Sequence, residues 1–248
     1  MIDHVSWHWG FIGIALLATL SWFGLKAKMP EQYVSIPKQP LSYVWDDFKA
    51  VFSNKRFMAL SLSLPLVSIP LILWIAMSPV ILVEQLGLTN MQYGLAQVPV
   101  LGALILGNIV LIRVIDQLAL GRTVMLALPL MLIGTLIVIA GVIWQEYMLW
   151  CLVLGMTLIS FGEGCSFSVL YRFSLSASEV SKGTVAAAVG MIMMVAFFVV
   201  IEIVRILYGH FDMWAYALAC FALIAVWFTV PRSVVKSIMQ ERAMSGQF

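Results

Sequence analysis

The chain has 248 residues, 62% of them hydrophobic and 10% charged, with a formal net charge of +2. Soluble domains carry roughly 25% charged residues, so an ordinary soluble domain is excluded and membrane-embedded helices are expected. Cys151, Cys165 and Cys220 all lie inside apolar runs, an odd number that does not make a disulfide framework.

Seven apolar runs approach or exceed the roughly 20 residues that a helix needs to span a bilayer. They cover 9–25, 57–83, 92–112, 123–143, 147–171, 184–207 and 213–230. The first is short, the second long, and the fold class expected is an all-α membrane protein of seven transmembrane helices. One span precedes a linker, 26–56, and six follow it as a separate domain, 57–230, with a tail at 231–248. In the linker, Leu41, Val44, Trp45, Phe48, Val51 and Phe52 recur at helical spacing opposite Asp46, Asp47 and Lys49, with Pro40 suited to a first turn. This predicts an amphipathic helix, lying either on the membrane surface or packed on the bundle.

The second run holds Pro65, Pro70 and Pro79. An interior proline removes a backbone hydrogen bond, and in a membrane the freed carbonyl must be satisfied by neighbours, serines or water. A bent helix facing protein or a cavity is predicted. Trp74 and Ser78 sit four apart on it and share a face; Trp74 reads equally as lipid-facing or as part of a pocket. In the third run Gln97 and Asn108 are polar groups able to line a pathway. Ala103 and Gly107 are small residues four apart, which permit close helix packing. Arg113 and Asp116 follow and can pair at the helix end. The fifth run carries Glu163 between Gly162 and Gly164. A carboxyl at that depth has to face a cavity or carry a proton; contact with a cationic substrate or proton, and a structural bond across helices, both account for it.

Ser181 and Lys182 open the sixth run with a cap and a basic anchor. Small pairs follow, Gly183/Ala187 and Ala186/Gly190. Met191, Met193, Met194, Phe197 and Phe198 make a polarizable surface that suits varied ligands or plain packing. Glu202 and Arg205, three apart, can pair along the helix, as a structural link or a gate. Met213 to Val230 contains no lysine, which argues against a retinal protein among seven-helix receptors and light sensors.

Every Lys and Arg except Arg205 falls on alternate connections, which places the N-terminus outside and the C-terminus in the cytoplasm. Trp7, Trp9, Trp144, Trp150 and Trp214 cluster near the outer boundary and Trp22 and Trp227 near the inner one, as an aromatic belt does. His4, His8 and His210 form no spaced pair. No metal-ligand cluster, nucleotide loop or nucleophile–base set is present in the sequence, so neither an enzyme nor a cofactor, metal or nucleic-acid binder is indicated.

Three stretches, SLPLVSIPLILWIAMSPVIL, EQLGLTNMQYGLAQVPVLGALILGN and SEVSKGTVAAAVGM, resemble the C-terminal half of a major facilitator superfamily transporter, and more narrowly the MdfA-type multidrug/proton antiporters of bacterial inner membranes. The resemblance covers almost the whole chain. It implies that 1–25 ends with the family's sixth helix, that 26–56 is its central cytoplasmic loop, and that 57–230 is its C-terminal six-helix bundle. The first five helices, and the acidic residues central to proton coupling in relatives, then belong to a missing N-terminal half, which becomes the expected partner beside membrane lipids, protons and lipophilic or cationic substrates. Gly107, Arg113, Asp116, Gly121 and Arg122 give a degenerate version of the family's charged loop motif. The function implied is drug export by proton antiport and alternating access, with this chain inactive alone. The alternatives are a half-transporter with a binding or regulatory role, or a receptor-like seven-helix protein. Depth, polarity and kinks nominate Pro70, Trp74, Ser78, Gln97, Asn108, Glu163, Met194 and Phe198 as substrate-binding residues, and Arg113, Asp116, Glu202 and Arg205 as gating or structural charges.

Overall fold

The computed structural model describes residues 8–28, 41–114 and 121–245. Their helices are α1 (His8–Lys28), α2 (Leu41–Ser53), α3 (Lys55–Ser78), α4 (Asn90–Val114), α5 (Arg122–Ile143), α6 (Met148–Ser176), α7 (Lys182–Phe211) and α8 (Met213–Ser245). Each apolar run of the sequence coincides with one long helix, because in lipid a segment must satisfy its own backbone polar groups. Asp116, Pro40 and His4 lie outside the described residues.

Among the described residues six helices are long and apolar enough to cross a membrane: α1, α3 with its extension, α4, α5, α6 and α7. In α8 the apolar stretch is the shorter Met213–Thr229, and the helix continues to Ser245 where the sequence reading set a tail from 231. α7 likewise runs to Phe211, past the hydropathy boundary at 207. Backbone hydrogen bonding outlasts the apolar run because Lys, Arg and Glu are good helix formers.

The chain divides into two compact units, Met1–Leu41 and Ser42–Phe248. In the first, Thr19 Oγ1 and Ser21 Oγ donate to the Ala15 and Leu17 carbonyls at 2.7 and 2.8 Å, so α1 satisfies its own hydroxyls. In the second, α3 and α6 are central. α3 packs on α6, α7 and α8; α6 also packs on α4 and α5; and α5 meets α8. Trp74, Trp227, Tyr216, Phe57 and Leu64 are fully buried there. Lipid tails are as apolar as leucine, so this core is held by close packing and hydrogen bonds rather than by escape from water.

Glycines set the closest approaches. A methyl group at Gly107 of α4 would run into the Phe161 carbonyl of α6, and one at Gly164 into the Leu104 carbonyl. α5 and α6 cross in the same manner, with a Cβ at Gly134 only 2.7 Å from the Gly155 carbonyl oxygen. On α7 the small residues behave differently: Gly183 and Gly190 have nothing within 4 Å of a built Cβ.

Two side chains tie the ends of the unit. Asn54 Oδ1 caps α3 by accepting from the Arg56 and Phe57 amides at 3.0 and 3.1 Å, while its Nδ2 donates to the Ala177 carbonyl beyond α6 at 2.9 Å. At the opposite end, Tyr208 OH donates to Gln85 Oε1 at 2.6 Å. The start of α3 therefore shares an end with the close of α6, and its finish shares the other with α7. Ser181 caps α7 through the Thr184 amide, as expected. α2 divides its residues: Val51 is buried and Phe48 packs on the core, whereas Tyr43 and Trp45 are exposed.

Candidate functional site

α3 positions the site through its prolines. Pro65, Pro70 and Pro79 have no amide hydrogen, so the carbonyls four residues earlier lose their usual donors. After Ser78 the α-helix gives way to a π-helical segment, Pro79–Gln85, where the Leu86 amide reaches back five residues to the Ile81 carbonyl at 3.1 Å. Such wide turns inside helices concentrate at functional sites.

Just before this segment, α3 and α4 are joined by a run of side-chain hydrogen bonds. Trp74 Nε1–H donates to Gln97 Oε1 at 2.7 Å, and Gln97 Nε2–H donates to Ser78 Oγ at 2.9 Å. Ser78 Oγ and Tyr93 OH are 3.4 Å apart. Trp74 and Ser78 are wholly buried, while Gln97 and Tyr93 are half-buried. The group thus has a closed inner end on α3 and a partly open outer edge on α4. That edge offers an amide, a phenol and apolar walls, which is the mixture that orients a small ligand in an apolar pocket. Trp74, Ser78 and Gln97 were read from sequence as separate candidates; the structure brings them together. Pro70 is buried one turn earlier on α3.

The remaining candidates lie elsewhere. Asn108 Nδ2 donates to the Leu104 carbonyl at 2.9 Å, and its Oδ1 accepts from Ser168 Oγ at 3.3 Å. Glu163 is 7% exposed inside the unit. Met194 and Phe198 stand on the open face of α7, 64% and 68% exposed. Glu202 and Arg205 form a fork, with Arg205 Nε and Nη2 donating to Glu202 Oε2 at 3.1 and 2.8 Å. Arg113 is exposed near the end of α4. Among the described residues no cluster of three His, Cys, Asp or Glu exists to hold a metal.

Sequence reasoning missed Tyr93, Ser68 and Asn54. Tyr93 lies four residues before Gln97 and so shares its helix face, a spacing open to inspection. Ser68 lies between two prolines, where a hydroxyl is expected to serve freed carbonyls. Asn54 precedes a helix whose first residues are Lys55 and Arg56, an N-cap position by residue type.

No protein-family profile matches the chain. Individual relatives do. The chain is 64% identical over 242 residues to the chloramphenicol resistance protein CraA of Acinetobacter baumannii, an alignment covering 98% of this chain and 59% of that protein. It is 38% identical over 210 residues to the multidrug transporter MdfA of Yersinia pestis, covering 84% of this chain and 51% of the relative. Over most of its length the chain is thus similar to bacterial multidrug-transport and drug-resistance proteins. The MdfA of Escherichia coli O6:H1 gives 39% identity over 203 residues, covering 82% of this chain and 50% of the relative. The chain therefore spans between half and three-fifths of the length of these relatives. These relatives are named for multidrug transport or drug resistance.

Proposed function

We propose that this chain forms part of a drug exporter of the bacterial inner membrane, driven by proton antiport and working by alternating access. Residues 57–230 are read as the C-terminal six-helix body, α1 as the last helix of the other body, and 26–56 as the cytoplasmic connection between them. Seven spans then place the N-terminus in the periplasm and the C-terminus in the cytoplasm. Alternating access needs two bodies rocking about a site near the midplane, so the six-helix body requires a partner half to work.

The observation that carries this reading is the Trp74–Gln97–Ser78 run, set in apolar helices with Gln97 half-open. Small lipophilic drugs with a few polar groups match its open edge: the half-buried Tyr93 phenol supplies contact area, and the half-buried Gln97 amide, held in place by the buried Trp74 indole, supplies both a donor and an acceptor. Chloramphenicol, with an aromatic ring, an amide and hydroxyls, is the substrate assigned first, since the relative named for resistance to it is 64% identical.

The test is complementation in an efflux-deficient bacterium. The chain co-expressed with the N-terminal half of the Acinetobacter relative should raise the chloramphenicol concentration tolerated, and Trp74→Ala should abolish the gain at equal abundance. Resistance from the chain without any partner half would overturn the two-body reading. Full resistance in Trp74→Ala would remove the α3/α4 group from the drug pathway.

A further inference from the structure

We infer that Glu163, buried where α6 packs on α3, is a proton-binding site enclosed within the six-helix unit and separate from the Trp74 group. Glu163 is 7% exposed, too little for a drug molecule to reach its carboxyl directly. Its Oε2 is buried without a hydrogen-bond partner among the described residues, and so is Ser68 Oγ. α3 packs on α6, and the Ser68 hydroxyl of α3 is the side-chain polar group within interaction range of the Glu163 carboxyl. Two buried orphan groups on packed helices are costly apart and mutually satisfying when paired.

A hydroxyl both donates and accepts. With Glu163 protonated, its O–H can donate to Ser68 Oγ; with Glu163 ionised, the Ser68 O–H can donate to Oε2. One pair therefore serves both protonation states by reversing a single hydrogen bond. No charge stands by to compete for the role. α3 carries no charged residue between Arg56 and Glu84, α4 none between Asn90 and Arg113, α5 none between Arg122 and Ile143, and α7 none between Lys182 and Glu202. Against α6 beside Glu163, α4 brings Leu104, Gly107 and Asn108, and α5 brings Ala127 and Met131. On α6 itself Cys165 is the nearest ionisable side chain, and its Sγ–H donates to the Gly107 carbonyl at 3.4 Å. Ser166 Oγ is likewise committed, to the Gly162 carbonyl at 2.8 Å. A single carboxyl with one free hydroxyl is far short of the six to eight oxygens of a calcium site, which favours a proton over a metal ion.

The setting makes the proton mechanically relevant. Gly162 and Gly164 bring α6 into tight contact with α5 and α4 on either side of Glu163, while Ser68 stands between Pro65 and Pro70 on the most interrupted stretch of α3. Gain or loss of the proton acts where a bendable helix meets a rigid one. That coupling rests on the antiport reading; the proton site itself does not.

The test is infrared difference spectroscopy of the complete transporter in proteoliposomes during a pH titration. The wild type should show a protonated-carboxyl carbonyl band that appears on acidification. Glu163→Gln should lose it, Glu163→Asp should retain one, Ser68→Ala should shift its frequency, and Gln97→Leu should leave it unchanged. A spectrum that is identical in the wild type and Glu163→Gln would overturn the proposal, as would loss of the band on adding sodium at constant pH. With chloramphenicol bound in detergent, a pH indicator should report one fewer proton released per drug in Glu163→Gln than in the wild type; equal release would remove the coupling role. A protein that binds no drug yet keeps the titrating band would sink the export reading and support the proton site.

Discussion

Replacing Gln97 with leucine tests the α3/α4 group most directly. The substitution removes both bonds made by the amide, at 2.7 Å from Trp74 and 2.9 Å to Ser78. Ser78 retains a second neighbour in Tyr93 OH at 3.4 Å, so the lasting injury is to the wholly buried indole N–H of Trp74, a donor with no other role. In a water-soluble interior an orphaned donor costs about 1–3 kcal/mol. Between membrane helices, hydrogen-bond couplings average about 0.6 kcal/mol and reach about 1.7 kcal/mol, because the unfolded chain in lipid also finds partners. The membrane range governs here, so the stability loss expected is about 0.6–1.7 kcal/mol. A double-mutant cycle of Gln97→Leu with Trp74→Phe, read by equilibrium unfolding in mixed micelles, should give a coupling of about 0.6–1.7 kcal/mol. The cycle with Ser78→Ala should give less, since Tyr93 remains. A Trp74–Gln97 coupling within about 0.3 kcal/mol of zero would match independent sites and refute the reasoning.

Gly164→Ala should destabilise the unit by about 1–3 kcal/mol, since the added methyl meets the Leu104 backbone carbonyl; Gly190→Ala, with open space around it, should be neutral or gain up to about 1 kcal/mol from helix propensity. The same unfolding assay checks both. Asn54→Ala should cost about 1–2 kcal/mol by uncapping α3 and should loosen the start of α3 from the end of α6, visible as faster amide exchange at both. Cysteines placed at Gly87 and Glu179 should react with impermeant reagents from opposite sides of the membrane; labelling from one side would defeat the seven-span topology.

The positions of the helices were readable because long apolar runs leave the backbone no alternative to helix. Their ends were less so, since hydropathy marks where lipid stops and not where hydrogen bonding stops, as α8 shows by continuing to Ser245. The closest approach of α4 was visible in Ala103 and Gly107, a recognisable small pair. The equally close approach of α5 to α6 rests on Gly134 and Gly141 of α5 and on Gly155 and Gly162 of α6, seven apart in each helix, a spacing that a reading of small pairs four apart passes over. The site showed a similar split. Trp74, Ser78 and Gln97 each stood out as polar groups in apolar runs, but their pairing depends on how α3 and α4 are turned toward each other. That rotation follows from packing of the whole unit and leaves no mark in local sequence.

The π-helical segment sets the phase between the two ends of α3. An α-helix advances about 100° per residue, from 3.6 residues per turn, and a wider turn lets the chain take up extra residues before resuming its course. Glu84 and Gln85 therefore face a different direction from the one that an unbroken α-helix through Trp74 and Ser78 would give them. Gln85 uses that direction to accept from Tyr208 at 2.6 Å. Deleting one residue between Val80 and Val83 would allow the α-pattern to continue, swinging the tip of α3 by about one residue's rotation while Trp74 keeps its place. The spacing of these seven residues, Pro79–Gln85, thus acts as a registration device, and altered length there should be tolerated far less well than altered side chains.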